Sequence, residues 1–187
     1  MIAVWGVASL GYAAERPMVG KWISSKRSAG GIGHILALME DGTAGSTTAV
    51  ILDCQLDNQQ QQVILGGSED QPVRYAFMIR DSHLVLTRVE SGKEILAQKA
   101  EGAPESVLGK WTYKNDFGAD VFLEIAERAC YFTIPLSQYF GTYTLREDTI
   151  TFKLSGVPGG TQKYQLEDHH LTLIADDGTQ YRYFKKP

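Results

Sequence analysis

Apolar and polar residues alternate in short runs along this chain, and groups of turn-forming residues separate the runs. Tyr75, Phe77 and Ile79 recur at every second position, the period of a strand with one buried face. An apolar run is followed by Glu40-Asp41-Gly42, and the Asp-Gly pair is a strong hairpin signal. After the first 14 residues no long segment shows an apolar stripe with helical period. The pattern therefore predicts an all-β chain of short strands, as in a barrel or sandwich.

The pattern of apolar and polar segments occurs twice along the chain. Gly20-Lys21-Trp22 returns as Gly109-Lys110-Trp111, and each copy opens a similar series of apolar segments. Leu123 and Ile125 match Leu36 and Leu38, and later segments keep the same order. We therefore predict two tandem antiparallel meanders or small β-barrels of about seven strands each. The predicted boundaries are repeat 1 at 18–100, a linker at 101–106 and repeat 2 at 107–187.

The residues that open each copy resemble a known family. Gly-Lys-Trp before an antiparallel meander is similar to the Gly-x-Trp opening of lipocalins. The Asp-Gly hairpin, the alternating strand with a tyrosine and the Leu-x-Leu segment resemble the short lipocalin-like (calycin-type) domains of exported bacterial proteins. The resemblance implies that Trp22 and Trp111 each close one end of a barrel. It also implies non-catalytic binding of small apolar molecules, or inhibition of another protein. Each copy is shorter than a ligand-binding lipocalin, so shallower barrels are expected.

The N-terminus and the overall charge bear on location. Residues 1–14 carry no charged side chain and end in small residues, which indicates a signal peptide and export to the periplasm or the exterior. The run is too short to cross a bilayer as a helix, so no transmembrane anchor is expected. A net charge of −4 without a basic stripe makes nucleic acid an unexpected partner.

Two cysteines fall in different repeats. An exported chain permits a disulfide between Cys54 and Cys130, which would tie the halves together. The alternative is two buried free thiols. Neither cysteine lies beside a histidine or in a Cys-x-x-Cys motif, so we expect no redox or nucleophilic role.

The histidines offer weak candidate chemistry. Asp81 with His83, and Asp168 with His170, are pairs with a spacing that could serve a metal or a general base. Both pairs fall between strands, where Asp commonly stabilises a tight turn, and we favour that interpretation. His34 lies on an apolar stripe and is expected at a barrel rim. No hydrolase or metalloprotease motif is present, so the sequence predicts no enzymatic activity, no metal and no cofactor.

Aromatic residues concentrate in one short region of repeat 2 where repeat 1 has none. They are Tyr131, Phe132, Tyr139, Phe140 and Tyr143. Their contact area suits a ligand or a partner, whereas the alternatives are core packing or the seam between the repeats. We predict an exported binding protein for a small apolar molecule, and its alternative is an envelope protein that binds or inhibits another protein through an aromatic patch. The predicted site residues are Trp111, Phe122, Phe132, Tyr139, Phe140 and Tyr143.

Overall fold

The computed structural model describes residues 17–66, 72–127 and 129–186. These residues form fourteen β-strands and no helix, which confirms the all-β prediction. The predicted signal segment lies outside the described residues. The strands are β1 (Gly20–Ser24), β2 (Ile32–Leu38), β3 (Thr43–Asp57), β4 (Gln62–Leu65), β5 (Val73–Arg80), β6 (His83–Arg88), β7 (Glu94–Glu101), β8 (Gly109–Lys114), β9 (Asp120–Ala126), β10 (Ala129–Arg146), β11 (Thr149–Leu154), β12 (Gly160–Glu167), β13 (His170–Ile174) and β14 (Gln180–Lys185).

Each strand pairs with the next one along the chain, and β1 pairs with β14, so the strand order closes in an antiparallel ring. β10 makes an additional pairing with β3. These two strands are the longest, with 15 and 18 residues. Pro135 lies in β10 between the stretch paired with β9 (Ala129–Thr133) and the stretch paired with β11 (Gly141–Arg146). A proline lacks an N–H donor, so a position outside the residues paired with β9 and β11 suits it.

The strands form two compact units that do not follow the repeat boundaries. Unit 1 contains residues 17–26, 34–47 and 138–186, and unit 2 contains residues 27–33 and 48–137. Unit 1 therefore combines β1, β2 from His34 onwards and the start of β3 with the end of β10 and β11 to β14. Unit 2 combines the remaining strands. Each unit takes its tryptophan strand and the strands that directly follow it from one predicted repeat, and its other strands from the other repeat.

The exchange between repeats occurs within β3 and β10. At the point where β3 passes from one unit to the other, Ser46-Thr47-Thr48-Ala49 contains no glycine, proline, asparagine or aspartate. β-Branched threonines favour extended backbone, so the strand continues without a turn. The corresponding point in β10 is Ser137-Gln138, which also lacks a turn signal.

The core of unit 1 is built around Trp22, which is completely buried. Its indole N–H donates to the Met18 carbonyl at 2.8 Å, so burial leaves no unpaired donor. The Lys185 ammonium lies 5.4 Å from the ring centroid and donates to the Pro17 carbonyl at 2.9 Å. The buried partners of Trp22 are Met18, Leu36, Leu38, Ala44, Tyr143, Ile150, Leu171, Leu173 and Tyr183.

Unit 2 repeats this arrangement around Trp111. The indole N–H donates to the Val107 carbonyl at 2.8 Å, and the Lys99 ammonium lies 3.9 Å from the ring centroid. Gly109 and Gly20, two residues before each tryptophan, have φ angles of 125° and 137°, a region that favours glycine. The other buried residues of this core are Cys54, Val63, Leu84, Leu86, Ala97, Val121, Leu123, Ile125, Cys130 and Phe132.

The two cysteines form a disulfide, which decides between the alternatives left open by the sequence. Cys54 of β3 and Cys130 of β10 are bonded, with their Cα atoms 4.8 Å apart. Both residues belong to unit 2. The bond therefore connects the two predicted repeats within the core of one unit.

Candidate functional site

Unit 1 contains a cavity of about 220 Å³ that opens beside its tryptophan core. Strands from both halves of the chain line it, because unit 1 takes β2 and β3 from one half and β11 to β14 from the other. The lining residues are His34, Ile35, Leu36, Ser46, Phe152, Leu154, Pro158, Gly160, Gln162, Leu173 and Tyr183.

The inner part of the cavity is apolar. Leu36 pairs with Trp22 across β1 and β2, and both side chains are buried. Leu173 is also buried, and Phe152 packs against the same cluster. A small apolar group placed here would leave water without disturbing any ionised side chain, since no lining residue is Asp, Glu, Lys or Arg.

Uncharged polar residues line the remaining part. They are Ser46 of β3, Gln162 of β12, Tyr183 of β14 and His34 of β2. His34 is exposed, and its backbone N–H donates to Ser24 Oγ at 2.9 Å, which fixes the strand at this point. The site therefore combines an apolar floor with hydrogen-bonding groups, the usual composition of a small-molecule pocket.

Tyr183 is the most enclosed of these polar groups, with 9% of its surface exposed. Burial, together with the nearby Tyr181, raises the pKa of Tyr183 to about 12. Within the described part of the chain its hydroxyl has no hydrogen-bond partner, yet no completely buried side-chain polar atom there is unpaired. The hydroxyl is therefore not completely buried, and Tyr183 is one of the residues that line the cavity.

The equivalent space in unit 2 is filled by two aromatic rings. Met39 and Thr43 are hydrogen-bonded across the turn between β2 and β3, and counting three residues back along each strand from this pair places Ser46 opposite Leu36. Phe132 lies opposite Leu123 in the same way. Leu36 and Leu123 are equivalent because each lies opposite a tryptophan. Phe132 is 4% exposed and stacks on Tyr75 with ring centroids 6.4 Å apart.

Strand register identifies the other substitutions. Gln162 lies opposite Ile150, as Tyr75 lies opposite Val63. His34 and Val121 both come two positions before the leucine that faces a tryptophan, and Val121 is only 2% exposed. Tyr183 corresponds to Ala97 because they lie opposite Leu171 and Leu84.

Unit 2 has a different cavity, of about 360 Å³, with charged walls. Tyr75 and Tyr113 form part of it, and burial, with Tyr75 and Asp116 nearby, raises the pKa of Tyr113 to about 12. Lys93 is paired with Asp116 at this site. The other lining residues are Arg88, Glu94, Ile95, Leu96, Lys114 and Asn115. The ion pair within the wall makes this cavity a poorer place for an apolar ligand than the one in unit 1.

The predicted aromatic site residues do not line either cavity. Trp111 and Phe132 belong to the unit 2 core, and Tyr143 belongs to the unit 1 core, where its hydroxyl donates to the Met39 carbonyl at 2.9 Å. Phe122 and Phe140 are 42% and 64% exposed, in unit 2 and unit 1 respectively. Tyr139 of unit 1 is half-buried. Within each unit the aromatics therefore divide between core and surface.

The turn interpretation of the aspartate–histidine pairs is confirmed. Asp81 and Ser82 have φ angles of 50° and 61°, and the His83 Nδ1 lies 2.7 Å from the Asp81 carbonyl oxygen. Asp168 occupies the matching turn with φ of 50°. Among the described residues no group of three or more histidine, cysteine, aspartate or glutamate side chains could hold a metal ion.

Sequence reasoning missed Ser46 and Gln162, because an uncharged polar residue on a strand is normally assigned to the solvent face. One signal was present for Tyr183, which aligns with Ala97 in the repeat and so places a large residue over a small one. No helix in the described ranges is long and apolar enough to cross a membrane. No protein-family model, curated protein or solved structure matches the chain.

Proposed function

We propose that this chain is an exported, non-catalytic binding protein that holds a small, largely apolar molecule in the unit 1 cavity. The observation that carries the proposal is the difference between equivalent positions. Ser46 and Gln162 leave space beside the tryptophan core of unit 1, whereas Phe132 and Tyr75 fill that space in unit 2. Protein interiors are normally packed to high density, so an open, partly apolar space beside a core favours a ligand site over a packing defect.

We further propose that each unit works as a short lipocalin-like barrel. Apart from the first two residues of β2, which belong to unit 2, eight strands or part-strands contribute to each unit, a number that encloses either side chains alone or one small ligand. Under this proposal unit 2 is the filled form and unit 1 is the ligand-holding form. Trp22 and Trp111 close the respective barrels, each with a lysine over its ring.

Export is supported by the disulfide between Cys54 and Cys130, because such bonds persist mainly in oxidising compartments. The buried position of both sulfurs within the unit 2 core fits a structural role for the bond. The periplasm or the cell exterior is therefore the proposed location.

Cavity size restricts the ligand. A volume of about 220 Å³ is below the range of about 300–1,000 Å³ that is typical for drug-sized molecules. The ligand is therefore small, or only part of a longer molecule enters the cavity.

The test is native mass spectrometry on protein exported by its own host and purified gently. Wild-type protein should carry an extra mass that is lost on unfolding. Ser46→Phe places in unit 1 the ring that fills unit 2, and it should remove that mass. Thr47→Phe places the same ring on the opposite face of β3 and is the matched control, which should keep the mass. A bare wild-type chain, or equal behaviour of the two variants, would contradict the proposal.

A further inference from the structure

The polar groups of the unit 1 cavity indicate the chemistry of the ligand's head group, and this inference rests on the proposed function. We propose that the ligand is an uncharged molecule with a hydrogen-bond acceptor, such as a ketone, ester or amide carbonyl, that accepts a hydrogen bond from the Tyr183 hydroxyl. Its apolar part then lies against Leu36, Leu173 and Phe152.

The first support is the hydroxyl itself. Only 9% of the surface of Tyr183 is exposed, and its hydroxyl has no hydrogen-bond partner among the described residues. Other tyrosines in the same unit are satisfied, since Tyr143 donates to the Met39 carbonyl and Tyr164 to the Glu147 carbonyl, both at 2.9 Å. A largely buried hydroxyl without a protein acceptor gains free energy when a ligand in the cavity supplies one.

The second support is the lack of charge around the hydroxyl. The cavity wall contains no lysine or arginine to pair with a carboxylate, and no aspartate or glutamate to pair with an amine. A charged group without a partner in a half-buried site is strongly disfavoured. The raised pKa of Tyr183 has the same cause, because burial disfavours an anion at that position.

The third support is the comparison with unit 2. Ala97 replaces Tyr183 there, and Phe132, Tyr75 and Val121 replace Ser46, Gln162 and His34. The polar residues are thus absent from the unit whose equivalent space is filled. Their presence only where space remains indicates that they face a ligand with both polar and apolar parts.

The experiment compares three probes of nearly identical shape: cyclohexyl methyl ketone, cyclohexanecarboxylate and isopropylcyclohexane. Binding is followed by methyl NMR at about pH 8, above the range in which histidine side chains normally titrate. The dissociation constant of the ketone should be lower than that of the carboxylate by about tenfold or more. Infrared spectroscopy on the wild-type complex should show a lowered carbonyl stretching frequency, which reports the hydrogen bond directly.

Tyr183→Phe should weaken ketone binding about 2- to 10-fold, leave hydrocarbon binding unchanged and abolish the infrared shift. Carboxylate binding equal to or tighter than ketone binding, or an infrared shift that persists in the variant, would overturn the head-group assignment while leaving the cavity as a ligand site. Failure of all three probes to perturb Leu36 or Leu173 would overturn the proposed function as well. If the variant does not fold, an unshifted carbonyl frequency in the wild-type complex would still overturn the head-group assignment.

Discussion

Unit 1 and unit 2 use the same arrangement of strands around a tryptophan, and in each unit a leucine on the next strand lies opposite that tryptophan. Only unit 1 has open space at the position on the far side of this leucine. In unit 1 that position holds Ser46, and in unit 2 it holds Phe132. The aromatic partner of Phe132 is Tyr75, whose counterpart is Gln162. Two positions, on strands that do not pair with each other, therefore distinguish the open space of unit 1 from the filled space of unit 2.

The comparison also shows what the two units must keep. Each tryptophan donates its indole N–H to a carbonyl four residues earlier. Each indole ring also has a lysine over it from the neighbouring strand, Lys185 of β14 in unit 1 and Lys99 of β7 in unit 2. The lysine and the tryptophan of each contact come from different halves of the chain. The stability of each unit therefore depends in part on the exchange of strands, while the open space of unit 1 depends on the residues that line its cavity.

The largest expected effect comes from opening unit 2. Phe132→Ser should cost about 3–5 kcal/mol in the free energy of unfolding, because it removes a buried ring that packs on Tyr75. It should also create a cavity in unit 2 that admits benzene. Urea denaturation and methyl NMR would measure the two effects. Phe140→Ser, at a position 64% exposed, is the control and should change stability by about 0.5 kcal/mol or less. Equal costs for both variants would show that Phe132 does not fill the unit 2 core.

Removal of the disulfide should destabilise unit 2 by about 2–5 kcal/mol, because the bond links residues separated by 76 positions. The variant is Cys54→Ala combined with Cys130→Ala. Amide hydrogen exchange should become faster in β6 and β9 of unit 2, and β13 of unit 1 provides the internal reference. Unchanged exchange in β6 and β9 would contradict a stabilising role for the bond.

Alkaline pH should distinguish the two buried tyrosines. Folding raises the pKa of Tyr183 from 10.0 to about 12, so its stabilising contribution is present below pH 10 and is lost as the pH rises towards 12. The loss should be about 2–3 kcal/mol. Tyr113 of unit 2 should contribute less, because it is less buried and its surroundings are more polar.

The check is the slope of unfolding free energy against pH between pH 10 and about 12 in wild type, Tyr183→Phe and Tyr113→Phe. Tyr183→Phe should flatten the slope most. An identical slope in all three proteins would mean that neither phenol is held neutral by the fold.

The smallest expected effects concern the lysines over the tryptophans. Lys99 donates to the Ser106 and Leu108 carbonyls, both at 2.7 Å, and its pKa is lowered by burial. Lys99→Met should cost about 1.5–3 kcal/mol. Lys185→Met should cost about 1 kcal/mol or less, because Lys185 makes one exposed carbonyl contact and lies farther from its ring. Thermal denaturation compares the two, and a larger loss for Lys185→Met would reverse the assignment.

The sequence predicted the local features because they depend on neighbouring residues. Alternation of Tyr75, Phe77 and Ile79 correctly indicates a strand, and the Asp81 turn follows from a residue type that stabilises tight turns. The exchange of strands could not be predicted, because it depends on how β3 pairs with β10, and these two strands are far apart in the sequence. Nothing in Thr47-Thr48 indicates a change of unit, because the strand simply continues.

The candidate site was harder to predict than the fold. Phe132 and Tyr143 were selected for their contact area, and both are core residues. A ligand cavity is identified by what its walls lack, and Ser46 has no property in the sequence that separates it from a solvent-facing serine. Only the register, which places Ser46 opposite Leu36, shows the comparison with Phe132.

The most direct test of the account uses four equivalent leucines as paired reporters. Leu36 and Leu173 line the unit 1 cavity, and Leu123 and Leu86 occupy the matching positions in unit 2. Methyl NMR of the wild-type protein with benzene should shift the resonances of Leu36 and Leu173 and leave those of Leu123 and Leu86 unchanged. Shifts at the unit 2 leucines, or no shift at Leu36 and Leu173, would contradict the claim that unit 1 is open and unit 2 is filled.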